Sequence, residues 1–231
     1  MKLCIFSDVH GNFRSYEKMM ESERNVDCFI FAGDIFGYFY DQAEIIDSMM
    51  NLKNLYAVKG NHDLSYLHSG GENPELTDRY GSSCLTVLPE RQRSYLESLP
   101  EFLEPEISGK RLGIFHGGPG DYLNQRIYPD SDMETCINAE ALAEKYDYLI
   151  LGHTHYGFLR REKDLTVINP GSLGQPRDGK GFRYCVLDTD RGLCEFKTVA
   201  VPLKPLLDQV RIRDGNHRVC EYLWKKYGGK S

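Results

Sequence analysis

Asp8 and His10, two residues apart in Ser7-Asp8-Val9-His10-Gly11-Asn12, offer a carboxylate and an imidazole just past the apolar run Leu3-Cys4-Ile5-Phe6. Alternate residues of an extended chain point to the same side, so the two could hold one cation. Taken alone, the same letters also describe a turn aspartate and a hydrogen-bonded histidine. The arrangement recurs, however: Phe29-Ile30-Phe31-Ala32 runs into Gly33-Asp34, and Leu55-Tyr56-Ala57-Val58 leads to Gly60-Asn61-His62-Asp63. Each is an ordinary turn signal by itself. Together they would set Asp8, Asp34 and Asn61 side by side at the edge where open α/β sheets bind ligands, and turn chemistry does not require that.

Histidine placement points the same way. Of seven histidines, five stand in such settings: His10, His62, His116 in Phe115-His116-Gly117-Gly118, and His153 and His155 in Gly152-His153-Thr154-His155. A His-x-His directly after the apolar strand Tyr148-Leu149-Ile150-Leu151 reads as a ligand pattern. His68 and His217 have no such setting.

The elements that must carry these residues alternate. Strand patterns over 2–7, 27–32 and 54–58 are separated by helical patterns near 12–23 and 41–50, which predicts parallel βαβ units. Residues 74–100 read as helical, opened by Asn73-Pro74 and closed by Leu99-Pro100. A strand pair, 102–107 and 111–115, follows about the turn Ser108-Gly109-Lys110. A helix over 133–145 and strands near 147–151, 157–161, 165–168, 182–188 and 193–201 complete a strand-rich second half. With no internal repeat, low-complexity tract or linker, one mixed α/β domain over 1–231 is expected. Its tail, about 205–231, carries Cys220, Leu223, Trp224 and Tyr227 at helical spacing, which fits a terminal helix packed on the core or one that docks on a partner.

Composition narrows the classes. An apolar fraction of 41% suits a buried core and argues against disorder. A formal charge of −6 argues against a free basic surface, so no stable nucleic-acid binding is expected. Seven cysteines without a Cys-x-x-Cys pair fit reduced thiols rather than a disulfide framework or a thiolate zinc site. With no leader-like start and no apolar run near the roughly 20 residues that cross a bilayer, the expected setting is cytoplasmic and free of membrane.

In order, Asp8-x-His10, Gly33-Asp34, Gly60-Asn61-His62-Asp63, His116-Gly117 and Gly152-His153-x-His155 resemble the calcineurin-like metallophosphoesterases over about residues 1–190. The segment Asn169-Pro170-Gly171-Ser172-Leu173-Gly174-Gln175-Pro176-Arg177-Asp178-Gly179 is similar to the small single-domain prokaryotic branch. The resemblance implies an α/β fold, a four-layer αββα sandwich of two mixed β-sheets flanked by helices, with metals at the sheet edges. It implies two divalent metal ions, Mn2+ foremost with Fe, Zn or Ni as alternatives. One would be held by Asp8, His10, Asp34 and His155, the other by Asp34, Asn61, His116 and His153, with Asp34 bridging. That donor mixture suits such metals, and ions about 3.5–4 Å apart can share a deprotonated water that attacks phosphorus in line. His62, outside the metal set, would stabilise the transition state or protonate the leaving oxygen, the alternative being a supporting hydrogen bond.

One departure bears on substrate. The eukaryotic-type Ser/Thr phosphatases of the superfamily read Gly-Asp-x-x-Asp-Arg-Gly, whereas this chain reads Gly33-Asp34-Ile35-Phe36-Gly37-Tyr38. Gly37 stands where a carboxylate orients their histidine, and their phosphate-gripping Arg is missing. The expected activity is therefore hydrolysis of a small or nucleotide phosphodiester, with a phosphomonoesterase or protein phosphatase as the alternative. A non-catalytic scaffold of the same fold, like the retromer subunit, is opposed by His62 and the full ligand set. Nucleases of the superfamily usually add a DNA-binding cap and a basic surface, neither of which the sequence shows. Arg177 could reach a substrate phosphate or brace its loop. Asn12 could bind substrate or cap the helix that follows. Phe36, Tyr38, Phe39 and Tyr40 could stack on a nucleobase or fill the packing beneath their loop.

Overall fold

The computed structural model describes residues 1–69 and 74–228. In one sheet β1 (Lys2–Phe6), β2 (Cys28–Ala32) and β3 (Leu55–Val58) run parallel. The antiparallel strands β10 (Phe182–Asp188) and β11 (Leu193–Val199) extend it on the β1 side, in the order β11-β10-β1-β2-β3. In the other sheet β6 (Lys110–Phe115), β7 (Tyr148–Ile150) and β9 (Leu165–Asn169) are parallel. Antiparallel β4 (Phe102–Leu103) and β8 (Phe158–Glu162) flank them in the order β4-β6-β7-β9-β8, and β5 (Glu106–Ile107) pairs with β6.

A period of two sorts the side chains of each strand. On β1, Leu3 and Ile5 join Ile30 of the same sheet and Ile114, Ile150 and Ile168 of the facing one. Cys4 and Phe6 turn the other way, to Tyr16 and Met19 of α1 (Phe13–Ser22) and Ile45, Ile46 and Met49 of α2 (Gln42–Met50). On β7, Tyr148 and Ile150 face inward, while Leu149 clusters with Ile137 of α6 (Met133–Ile137) and Ala139 of α7 (Ala139–Lys145). Each large apolar side chain buried this way stabilises by about 1.5–3 kcal/mol. The result is the four-layer αββα sandwich that the motifs implied.

Several elements depart from the sequence expectation for local reasons. The helical stretch 74–100 is α4 (Pro74–Tyr80), a 3-10 turn at Gly81–Leu85 and α5 (Glu90–Ser98), broken where Gly81 takes φ 72° and where Pro89 precedes α5. Asn73 of the expected start signal lies outside the described residues. The strand expected over 102–107 splits into β4 and β5 around Pro105, which has no N–H for a ladder. The turn after it is the two-residue pair Ser108-Gly109, both with positive φ, so Lys110 already pairs with Ile107. The helix over 133–145 is interrupted at Asn138, left-handed at φ 52°, whose side chain accepts from the Ala141 N–H and caps α7. The terminal helix is a hairpin instead, α8 (Leu203–Asp214) and α9 (Arg218–Tyr227), turned at Gly215 with φ 52°. It buries Leu206, Leu207, Val210, Val219, Leu223 and Tyr227 with Phe39, Tyr40 and Phe182. Trp224, expected in the buried stripe, is 44% exposed; residues 229–231 of the expected tail lie outside the described residues. Among the described residues no helix is long and apolar enough to cross a membrane.

Candidate metal centre

The carboxyl ends of five parallel strands meet where the two sheets face each other. Asp8 and His10 follow β1, Asp34 follows β2, and Asn61 follows β3 as the first residue of α3 (Asn61–Ser69). His116 follows β6, and His153 and His155 follow β7. The structure brings all seven together. Asn61 Oδ1 is 3.0 Å from both His116 Nε2 and His153 Nδ1. Asp34 Oδ2 lies 3.3 Å from His116 Nε2 and 3.8 Å from both His10 Nε2 and His62 Nε2. Asp8 Oδ1 lies 3.1 Å from His155 Nε2 and 3.8 Å from His10 Nε2.

The backbone is bent to achieve this. Asp8, His10, Asp34, His153 and His155 all take left-handed φ values, 53°, 49°, 68°, 66° and 63°. Such conformations cost about 1 kcal/mol or more per residue and collect at functional sites. Main-chain bonds between neighbouring strand ends hold two of the turns in place: the Val9 and His10 N–H groups both donate to Asp34 O, at 2.9 and 3.2 Å. Close packing holds a third approach, because a Cβ on Gly60 would lie 2.0 Å from Asp34 Oδ1.

Imidazole orientation determines what the cluster can hold. The Nδ1 atoms of His10 and His155 lie 2.5 and 2.6 Å from the carbonyl oxygens of Phe36 and Gln175. A carbonyl only accepts, so each Nδ1 carries a proton and each neutral ring turns its Nε2 lone pair inward. The two Nε2 atoms face each other at 3.1 Å, lone pair toward lone pair, an arrangement that a cation between them relieves. Asp8 Oδ1 is buried without a hydrogen-bond donor. Convergent imidazole lone pairs and an orphaned carboxylate oxygen fit divalent metal ions.

Burial opposes ionisation of both aspartates, yet His155 holds the Asp8 carboxyl at about 2, and His116 holds that of Asp34 well below the usual range. Burial pulls His10 well below its ordinary value and brings His62 and His153 to about 4. His116 goes the other way, to about 9, because Asp34 outweighs its burial. Of these imidazoles His116, 3.3 Å from Asp34 Oδ2, is the one pushed toward its protonated form.

The domain model of the calcineurin-like phosphoesterase superfamily matches residues 1–192. The chain belongs to this superfamily. It is a metal-dependent phosphoric ester hydrolase. An uncharacterised protein of Methanocaldococcus jannaschii is 26% identical over 231 residues, covering 90% of this chain and 91% of that one. A phosphodiesterase of the same organism is 28% identical across 83% of this chain and 95% of its own. Among solved structures, a metallophosphoesterase from Sphaerobacter thermophilus superposes with a TM-score of 0.77 at 26% identity, over 96% of this chain and 98% of that one.

Within this calcineurin-like framework, three supporting residues escaped the sequence reading. Asp63, fully buried, accepts from the N–H groups of Asp34, Ile35, Phe36 and Gly60 at 3.0, 2.8, 3.1 and 2.9 Å, tying two strand-end loops together. Burial and the Asp34 charge push its carboxyl up to about 7, but four N–H donors occupy both oxygens, so the geometry accommodates the ionised form. Asn169, at the end of β9, donates to Gly152 O at 2.6 Å, and the Ser172 hydroxyl donates to Asp8 O at 2.8 Å. All three lie in the motif segments, but their bonds run to main chain, which residue spacing does not mark.

Other expectations are corrected or sharpened. Asn12 is fully buried with both ends of its amide engaged, accepting from the Ser15 N–H and donating to Leu173 O. The side chain thus caps α1, the second of the two roles open to it. Phe36, Phe39 and Tyr40 are buried: Phe36 stacks on Tyr66 at 3.8 Å, and the other two pack under the terminal hairpin. Tyr38 of that group lines a cavity, and Arg177 lines the same one. The His62 ring lies 4.3 Å from that of Tyr80 and 5.9 Å from that of Tyr38. A Cβ on Gly37 would fall 2.7 Å from His62 Nδ1, so a carboxylate side chain at this position has no room. His68 is exposed, and His217 caps α9 by accepting from the Val219 N–H.

Proposed function

We propose that Asp8, His10, Asp34 and His155 hold one divalent ion, that Asp34, Asn61, His116 and His153 hold a second, and that the protein is a phosphodiesterase. The facing of His10 Nε2 and His155 Nε2 at 3.1 Å beside the donorless Asp8 Oδ1 carries this reading. The mixture of oxygen donors and imidazoles suits Mn2+, with Fe, Zn or Ni as alternatives. Bound divalent ions supply Lewis-acid stabilisation of phosphate oxygens and a water acidic enough to be a nucleophile at neutral pH.

The chain's own residues do the rest. Asp63 fixes the loops of Asp34 and Gly60 through its four N–H bonds, and Asn169 and Ser172 fix those of Gly152 and Asp8. His62 turns Nε2 toward Asp34 Oδ2, from where it donates to a phosphate oxygen in the transition state or gives a proton to the leaving oxygen. We read the chain as one domain, because the terminal hairpin shares its core with Phe39 and Phe182.

Diesters are favoured over monoesters on charge. A monoester dianion leaves more charge for fixed cations to grip, and a bidentate Arg serves best. Gly37 supplies no orienting carboxylate, no Arg follows Asp34 in the loop, and Arg177 is the arginine that the sequence offers for gripping a substrate phosphate. The similarity to a phosphodiesterase of M. jannaschii supports the same reading. With Mn2+-reconstituted protein, kcat/KM should be higher for bis-p-nitrophenyl phosphate than for phosphoserine peptides at matched metal. A preference for the peptides would overturn the diester reading.

A further inference from the structure

Beside His62 opens a cavity of about 430 Å³ lined by Tyr38, Arg79, Tyr80, Arg177, Arg218 and Tyr222, within the usual size of small-ligand sites. It adjoins the metal cluster through a continuous set of rings: Tyr38 and Tyr80 against His62, and Tyr38 at 5.0 Å from His10. Three guanidinium groups converge here in a chain whose net charge is −6. Arg218 is paired with Asp78. Among the described residues Arg79 and Arg177 form no ion pair; Arg79 lies over the Tyr80 ring at 5.3 Å, and Arg177 donates to Gln175 Oε1 at 3.2 Å. Like charges around one cavity repel, and an anion between them relieves the repulsion.

The walls are built, not incidental. Arg218 Nε donates to Asp78 O at 2.7 Å, and Asp214 accepts from the Ser82 N–H at 2.7 Å and from the Tyr40 hydroxyl. The Tyr227 hydroxyl donates to Pro176 O at 3.1 Å. The hairpin α8–α9 therefore latches both α4 and the loop that carries Arg177. The superfamily match ends at residue 192, so the wall formed by Arg218 and Tyr222 comes from the segment beyond it.

We propose that this cavity receives the leaving group of the diester and selects one that is planar and bears its own phosphate, the chemistry of a nucleoside monophosphate. The proposal rests on reading the neighbouring cluster as the hydrolytic centre. Hydrolysis adds one water across a P–O bond: its oxygen joins phosphorus, the bond to the leaving ribose oxygen breaks with its electron pair, and that oxygen takes a proton. His62 stands between cluster and cavity, at the place where that oxygen departs. Arg79 and Arg177 pair with the phosphate on the leaving group, and the tyrosine rings offer faces to its base.

Calorimetric titration of AMP and adenosine into the Mn2+-loaded protein reads the cavity without turnover. AMP should bind about tenfold more tightly than adenosine, and Arg79→Ala and Tyr222→Ala should each weaken AMP by about fivefold or more. In parallel, the 5′-phosphorylated dinucleotide pApA should exceed ApA about tenfold in kcat/KM, an advantage that Arg79→Ala removes. If AMP binds no better than adenosine, or if Arg79→Ala leaves its affinity unchanged, the cavity is not a phosphate pocket, even with bis-p-nitrophenyl phosphate still hydrolysed. If AMP affinity depends on Arg79 but that diester is not hydrolysed, the pocket stands and the hydrolytic reading of the cluster fails.

Discussion

The metal cluster and the arginine–tyrosine cavity share a wall and are made in opposite ways. In the cluster, ligand-type side chains leave strand ends directly, five of them from left-handed backbone, and Asp8, His10 and His116 have no exposed surface. In the cavity, Arg79 and Arg177 are exposed long side chains on a helix and a loop, and Tyr222 is 43% exposed. Ions need fixed spacing, so the main chain itself sets the cluster, and a small displacement there is felt by every ligand. A leaving group needs charge and surface, which exposed side chains supply at little structural cost. The proposed roles divide accordingly, the chemistry at strand ends and the selectivity on a helix, a loop and the terminal hairpin outside them.

The largest separation of the two regions is expected at their border. His62→Gln should keep metal and fold but lower kcat for a diester by roughly 10² to 10⁴, the range for losing a positioned proton donor. Near-full kcat would remove His62 from the chemistry, and loss of metal would assign it to the cluster's framework.

A smaller effect, on stability, should mark the rigid side. Asp63→Ala strands four buried N–H donors that now meet one carboxylate, and should lower unfolding free energy by about 3 kcal/mol. The shift in urea midpoint measures it. A midpoint near that of the wild type would show that the strand-end loops hold each other without this clamp.

The smallest effect belongs to the exposed side. Arg177→Ala should raise KM for monoesters by about fivefold, and KM for simple diesters less, because one exposed guanidinium contributes roughly 1 kcal/mol. Equal changes for both classes would place Arg177 in loop bracing alone.

The contrast also explains what the sequence disclosed. Strand ends announce themselves: an apolar run followed by Gly-Asp, Gly-Asn or His-x-His is local, and β1, β2, β3, β6 and β7 carry the predicted ligands to one place because parallel order aligns their carboxyl ends within each sheet. The cavity is legible only in part. Arg177 and Tyr38 were visible as candidates, but Arg79 and Arg218 are 139 positions apart in sequence and meet only because Gly215 folds the tail back on α4. Asp63 was in view in Gly60-Asn61-His62-Asp63, yet its four partners are backbone groups without a residue signature. Asn12 showed the limit of type alone, since an asparagine beside a metal motif is equally a helix cap, and its bond to the Ser15 N–H is visible only in the fold.

The central claim is that one carboxylate serves two ions. Elemental analysis of the reconstituted protein tests it directly: the wild type should carry about two equivalents of transition metal, and Asp34→Asn should lose occupancy at both positions together. A variant without the Asp34 carboxylate that still held two equivalents would contradict it.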